Sequence, residues 1–337
     1  MITDLFAATY RLDASLVTRA IPPACRREPA VASVVSMNER ESLLEFPEWQ
    51  PRVAARHLVP SLSALTDVPY AVRFELSAWI GGAWSPWVAT ATIGPGRFSP
   101  LSSKADLIAC DVDVYTTSVS CERLRLRIRL GAADVRALTT APWLATLSAS
   151  DLAPTASEPS VVRTRRLCVP ALSQLDATPE IALRICSPSS VAMVLAYWGV
   201  PVAPATLAEE IYHPDTDRYG VWPAAIRAAG RRGVAGYLLR FPDWSSAAWC
   251  LERRLPIVAS VRYTAGELTG AALAETSGHL IVLTRSDGIH VDVNDPVAPT
   301  ASDVRRRYRL DELQRVWLDR TGIGYVLFHP DHLPALD

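Results

Sequence analysis

Ile185-Cys186-Ser187-Pro188-Ser189-Ser190-Val191-Ala192-Met193-Val194-Leu195-Ala196-Tyr197-Trp198-Gly199 reads as a buried helix with a cysteine at its mouth. Proline suits the first helical position, where its missing N–H costs nothing, so Pro188 marks a start and a helix is expected over Ser187–Trp198. From Val191 onward the apolar residues run almost unbroken, the pattern of a helix covered on most sides. Gly199 supplies a left-handed stop, with Pro201 beyond it. Cys186 thus sits where free backbone N–H groups and the positive end of the helix dipole favour the thiolate, the form that attacks. Most free cysteines are packing residues, so a base must reach this one before it counts as a nucleophile.

Six histidines are available, and His279 opens the apolar run Leu280-Ile281-Val282-Leu283. A second strand, Ile289-His290-Val291-Asp292-Val293-Asn294-Asp295-Pro296, follows across Ser286-Asp287-Gly288. A three-residue loop with a left-handed glycine is a common hairpin connection. That loop pairs Arg285 with Ile289, so paired numbers sum to 574 and His279 faces Asp295 directly. A two-residue loop shifts the sum to 575 and throws the two onto opposite faces. The first register therefore predicts an imidazole beside a carboxylate, the arrangement that orients a base for a nucleophile. His290 falls on the other face, and His213 lies in a Pro/Asp loop. Asn294 points away from the base by strand parity, so Asp295 is the expected third member. An amide at position 295 would be able to support the wrong imidazole tautomer. For the oxyanion, the Cys186 N–H is one donor, and Gln174 is the best side-chain candidate in a chain with only three glutamines.

The 337 residues are 49% hydrophobic and 20% charged, enough for two domains with real cores. A net charge of −1 points to neither nucleic acid nor an acidic membrane surface, and Lys104 is the one lysine among 34 basic residues. The six cysteines are spread without C-x-x-C spacing, so no disulfide scaffold, metal site or cofactor is implied. Met1–Ala20 lacks a signal-peptide apolar run and no stretch reads as a membrane span, so a cytoplasmic protein is expected. The sequence leaves the oligomeric state open.

Residues 1–149 read as a β-rich domain, with a hairpin of Tyr70–Ile80 and Ala83–Ile93 around Gly81-Gly82 and further strands at Leu107–Tyr115 and Arg123–Leu130. A β-sandwich buries such strands most simply. Trp79, Trp84 and Trp87 are expected in its core rather than on a ligand-stacking surface. Residues 150–166, rich in Ser, Ala, Pro and Arg, read as a linker. In 167–337, helices are expected at Ala205–Tyr212, Trp222–Ala229, Ser245–Arg254 and Asp311–Trp317. Strands are expected at Val234–Arg240, Ile257–Tyr263, His279–Arg285, Ile289–Asn294 and Gly324–Phe328. Helices come mostly first and strands mostly last, an α+β order.

Val169-Pro170, Ser173-Gln174, Cys186-Ser187-Pro188-Ser189-Ser190, Ser277-Gly278-His279 and Val293-Asn294-Asp295-Pro296 occur in one order over Leu167–Phe328. This set resembles the papain-like cysteine peptidases related to the bacteriocin-processing, double-glycine peptidases, in a stand-alone form without a transporter. The resemblance implies a triad of Cys186, His279 and Asp295, with Gln174 in the oxyanion hole and a peptide or protein as substrate. Gln174 lies twelve residues before Cys186, so Leu175–Ile185 must fold away as an inserted loop. The N-terminal half is similar to β-rich domains that precede such peptidases, with Trp84-Ser85-Pro86-Trp87 as the recognisable piece. Two further readings of the same residues are an acyltransferase on this fold and a catalytically silent peptide-binding module.

Overall fold

The computed structural model describes residues 1–101, 106–153 and 162–333. The alternation of Leu124, Leu126, Ile128 and Leu130 with Arg123, Arg125, Arg127 and Arg129 gives the strand it predicts, Arg123–Ala132. Leu124, Leu126, Ile128 and Leu130 are at most 1% exposed, and the arginines take the opposite face. Tyr70–Ile80 pairs with it antiparallel and turns back through Gly81-Gly82, both with φ positive as a tight two-residue hairpin requires.

Trp79 shares the outward parity of Arg73 and Glu75, and Trp84 pairs with it across the hairpin. The three tryptophans are therefore half-buried on the outer face and not in the core. Arginines lie over their rings: Arg123 on Trp79 at 4.7 Å, Arg125 on Trp84 at 3.8 Å, and Arg127 on Trp87 at 4.2 Å. The expected strand Leu107–Tyr115 is instead a tight hairpin between Ile108–Asp111 and Val114–Cys121.

These strands form two antiparallel sheets. One has five strands in the order Thr3–Tyr10, Trp143–Ser150, Ala55–Ala64, Val114–Cys121, Ile108–Asp111. The other has six, including Ser33–Ser36, Glu41–Glu45 and the arginine strand. The Tyr115 hydroxyl donates to the Phe74 carbonyl at 2.8 Å, tying one sheet to the other.

The five-stranded sheet also turns a face toward the C-terminal half. Ser61, Ser63, Thr146 and Ser148 are nearly fully buried on that face. Such small side chains let backbones approach: a Cβ on Gly230 would stand 2.8 Å from the Ala64 carbonyl oxygen. The Ser148 hydroxyl accepts from the Arg240 N–H, the Tyr237 hydroxyl donates to the Ala20 carbonyl, and Arg227 Nε donates to the Tyr70 carbonyl. Asp113 accepts the N–H of Trp222 at 2.7 Å and so caps the helix Trp222–Gly230 from the other half of the chain. One apolar cluster runs through both halves. Part of the expected linker, 154–161, lies outside the described residues. Beyond it, Thr164 and Leu167 donate their N–H groups to the Ser286 and Thr284 carbonyls.

The C-terminal sheet is antiparallel throughout, in the order Ala235–Arg240, Ile323–Phe328, Ile257–Tyr263, Thr276–Ser286, His290–Asn294, Arg305–Arg309. Five of these strands match the expected ones within a few residues, and Arg305–Arg309 was not foreseen. Helices Cys186–Tyr197, Pro204–Ile211, Trp222–Gly230, Trp244–Glu252 and Leu310–Trp317 likewise follow the sequence pattern. The C-terminal half thus sets these helices beside a six-stranded antiparallel sheet. Among the described residues, no helix is long and apolar enough to cross a membrane.

Candidate active site

The helix over the sheet begins at Cys186, one residue earlier than expected, which puts Pro188 in its third position. That costs nothing, because none of the first N–H groups has an intrahelical partner. Val191–Leu195 are completely buried, and each large apolar side chain there contributes about 1.5–3 kcal/mol on transfer from water. The Ser190 hydroxyl donates to the Leu280 carbonyl at 3.0 Å, and Ser187 Oγ meets the Tyr325 hydroxyl at 3.3 Å. The helix start is thereby fixed against the histidine strand, Thr276–Ser286. Gly199 ends the helix at φ 81°, as its position predicts.

His279 and Asp295 do meet, with Nε2 to Oδ1 at 2.7 Å and both side chains buried. The expected register is nevertheless wrong. The chain reverses across two residues, Gly288-Ile289, with the Asp287 N–H donating to the His290 carbonyl and the Asp287 carboxylate accepting from the Ile289 and His290 N–H groups. Near the turn Arg285 pairs with Asp292 and Ser286 with Val291, whereas further on Leu283 pairs with Val293 and Val282 with Asn294. Thr284 is the extra residue of a β-bulge, and it changes the sum of paired numbers from 577 to 576. The short loop alone would have separated His279 from Asp295, and the bulge returns them to one face. They meet diagonally instead of directly opposite. The free Thr284 carbonyl accepts the N–H of Leu167, and its hydroxyl donates to the Asp292 carbonyl.

Asp295 has further partners. The Tyr308 hydroxyl donates to its Oδ2 at 2.8 Å, and the Val297 N–H reaches Oδ1 at 3.2 Å. Burial pushes the Asp295 carboxyl up, but the charge and hydrogen bond of His279, with those of Tyr308 and Val297, hold it below the usual range. Burial pulls His279 down, yet Asp295 and Cys186 raise it to about 10. Burial also opposes the Cys186 thiolate. The His279 hydrogen bond and charge, with the Leu280 and Ser187 N–H groups, outweigh that and leave the thiol below its ordinary value. Nε2 being taken by Asp295, Nδ1 is the ring atom left for the sulfur. The three groups thus favour a thiolate–imidazolium pair.

Tyr308 escaped the sequence reading because its strand, Arg305-Arg306-Arg307-Tyr308-Arg309, reads as a charge run. The available signal was Tyr308 itself, the single apolar residue between arginines. Asn294 points the other way, as parity predicts, and its Nδ2 donates to the Val169 and Pro170 carbonyls at 3.2 and 3.1 Å.

Gln174 is fully buried. The inserted loop folds into a 3-10 turn, Gln174–Asp176, and a short helix, Pro179–Ala182. The Gln174 N–H donates to the Pro296 carbonyl beside Asp295, while its Nε2 donates to the Ala182 carbonyl at 2.6 Å. One Nε2 hydrogen is therefore committed, and Oε1 has no hydrogen-bond partner. The rival histidines are elsewhere: His213 bonds Thr216 Oγ1 and the Thr92 carbonyl, and His290 lies near Asp287.

Half-buried Cys186 opens onto a cleft of about 560 Å³ with Arg184, Tyr219, Trp222 and Arg262 among its walls. Arg184 is tied to Asp217 at 2.7 Å and lies over the Tyr219 ring.

Residues 166–325 match the model of the Peptidase_C39 like family. A protein described as a C39-like peptidase from Bacillus anthracis is 16% identical, with a TM-score of 0.38 over 49% of this chain and 97% of its own. The peptidase domain of Streptococcus ComA, a bifunctional ABC transporter of a quorum-sensing pathway, is 18% identical, with a TM-score of 0.33 over 48% and 98%. TmCBM61, solved with beta-1,4-galactotriose, shows 11% identity and a TM-score of 0.20 over 43% and 86%. No curated protein matches the chain. The likeness to the C39-like peptidase family is thus confined to residues 166–325, a little under half of the chain.

Proposed function

We propose that the C-terminal half, 167–337, is a cysteine peptidase and that Cys186, His279 and Asp295 are its triad. The buried hydrogen bonds of Asp295 to His279 and to Tyr308, with the His279 charge favouring the Cys186 thiolate where Cys186 opens on a cleft, carry this reading. The Cys186 thiolate attacks the carbonyl carbon of a peptide or isopeptide bond, and the carbonyl electron pair moves onto oxygen. The Cys186 N–H and the second Nε2 hydrogen of Gln174 are the proposed oxyanion donors. The intermediate collapses as imidazolium Nδ1 gives its proton to the departing amine. Neutral His279 then takes a proton from water, which attacks the thioester and releases the acid with the thiolate restored. Asp295 keeps the Nε2–H directed toward itself throughout, so Nδ1 remains the working nitrogen. The two sheets of residues 1–149 are the proposed sandwich-like accessory domain.

The test is cleavage of a peptide library by the full chain and by Cys186→Ala, with product masses read in water and with added glycine amide. Masses gained by addition of water support a peptidase. Amide adducts formed in preference to acid would move the assignment to an acyltransferase. Cleavage surviving in Cys186→Ala would remove the cysteine from the chemistry.

A further inference from the structure

We propose that the cavity between the two halves, beside the cleft, is an anion subsite in which Arg240 takes a carboxylate of the peptide substrate; this rests on the peptidase reading above. Arg240 ends the strand Ala235–Arg240 and is only 7% exposed. Its Nε is buried without a hydrogen-bond partner, and no carboxylate among the described residues pairs with it. Asp151 acts on it through charge alone, while its own Oδ1 accepts the N–H groups of Ile2 and Ala153. An unpaired buried guanidinium is costly, since the desolvation of its charge is offset here only in part, by the charge of Asp151 and by no hydrogen-bonded partner. Such a group calls for a partner that arrives from outside.

The cavity it lines holds about 520 Å³, in the range of small-ligand pockets. From the N-terminal half, His57 contributes a second orphan, a buried Nδ1 without a partner. Burial and the charge of Arg240 pull that ring down to about 3, so it is neutral and free to donate one N–H. The other charged groups on the wall are largely engaged. Arg320 pairs with Glu267 at 2.8 Å, Arg262 Nε donates to the Ser277 carbonyl, and Asp111 stands 3.9 Å from Arg218. Asp319 is the remaining carboxylate on the wall, and burial raises its pKa. An entering anion therefore finds Arg240 unclaimed.

Trp222, Arg262 and Thr321 line both this cavity and the Cys186 cleft. An extended peptide with its scissile bond at Cys186 can reach Arg240 with an acidic side chain or with its own C-terminal carboxylate. The N-terminal sheet thus becomes a wall of the substrate site, through His57 and Thr116.

Binding of alanine–glycine octapeptides to the full-length Cys186→Ala chain tests this. One glutamate is moved along a C-terminally amidated host, each position is compared with glutamine, and a host with a free C-terminus completes the set. One arm is expected to bind about tenfold tighter than its neutral counterpart, less so as salt rises. The preference is expected to vanish in Arg240→Gln and to survive in part in Arg240→Lys. A glutamate optimum identifies a side chain as the source, and a free-carboxylate optimum identifies the chain end. Arg240-intact protein with no preference in any arm overturns the proposal and leaves a water-filled cavity, an outcome that does not depend on how the variants fold. Preference persisting in Arg240→Gln overturns it too. Since binding is measured without turnover, a chain that prefers glutamate but cleaves nothing would indict the peptidase reading and not the subsite.

Discussion

Replacing Asp295 with asparagine separates the charge of this residue from its geometry. Its Oδ1 faces both His279 Nε2, at 2.7 Å, and the Val297 N–H, at 3.2 Å, while Oδ2 receives the Tyr308 hydroxyl. The Val297 N–H can only donate, so it demands oxygen on the His279 side. A tyrosine hydroxyl donates or accepts, so it tolerates an NH2. The asparagine amide is therefore expected to keep its oxygen on Nε2–H and preserve the working tautomer, contrary to what the sequence alone suggests. What is lost is charge. A hydrogen bond to a charged group contributes roughly 1.5–3 kcal/mol against about 0.5–1.5 kcal/mol for a neutral one. The difference of about 1.4 kcal/mol is about tenfold in kcat/KM, and the lost charge raises the Cys186 thiol. Asp295→Ala instead strands three donors, the His279 ring, the Tyr308 hydroxyl and the Val297 N–H, and is expected to lose about a hundredfold or more along with stability. Peptide cleavage and the pH dependence of Cys186 alkylation measure both effects. Equal losses in the two variants would refute the tautomer argument, and full activity in Asp295→Asn would refute the part given to charge.

The other expectations concern pH, the histidines and the junction. Cleavage should form a plateau that falls on the acid side as Cys186 takes a proton and on the alkaline side as His279 loses one near pH 10; a steady rise like that of an ordinary thiol is the contrary result. Iodoacetamide at mildly acidic pH should label Cys186 alone, because burial pushes Cys25 and Cys110 to about 12 and Cys121 to about 11, and Cys168, although exposed, does not sit at a helix start. Peptide mapping that finds Cys168 labelled first would contradict this. His279→Ala should abolish turnover, whereas His213→Ala should lower the melting temperature by a few degrees through lost bonds to Thr216 and Thr92 and leave kcat/KM within about twofold. Gly230→Val should destabilise the chain by about 1–3 kcal/mol, since its side chain meets the Ala64 backbone; denaturation showing wild-type stability would mean the halves part easily.

Residues that act through local chemistry were legible, and residues placed by long-range pairing were not. The cysteine helix announces itself by its apolar run and by Gly199, both local signals. The arginine strand is legible because one of its faces is polar, so a period of two shows directly. The histidine strand is different: Leu280, Ile281, Val282 and Leu283 are all buried, with a helix over one face and packing on the other. A strand apolar on both faces carries no parity in its composition, so hydrophobicity could not choose among sums of 574, 575 and 577. The Asp287 side chain favours the two-residue turn by accepting two N–H groups, a local effect that the three-residue reading overlooked. With that turn in place, parity alone forbids the His279–Asp295 contact. Only an extra residue can restore it, and Thr284 is tolerated there because the incoming Leu167 N–H satisfies the carbonyl that a bulge leaves unpaired. The turn and the bulge are thus complementary departures from regular pairing, and each is destabilising for the site without the other. The expected contact was met through two errors of register that cancel. For that reason the meeting of His279 with Asp295 is evidence about this site, whereas agreement in strand boundaries is evidence only about its scaffold.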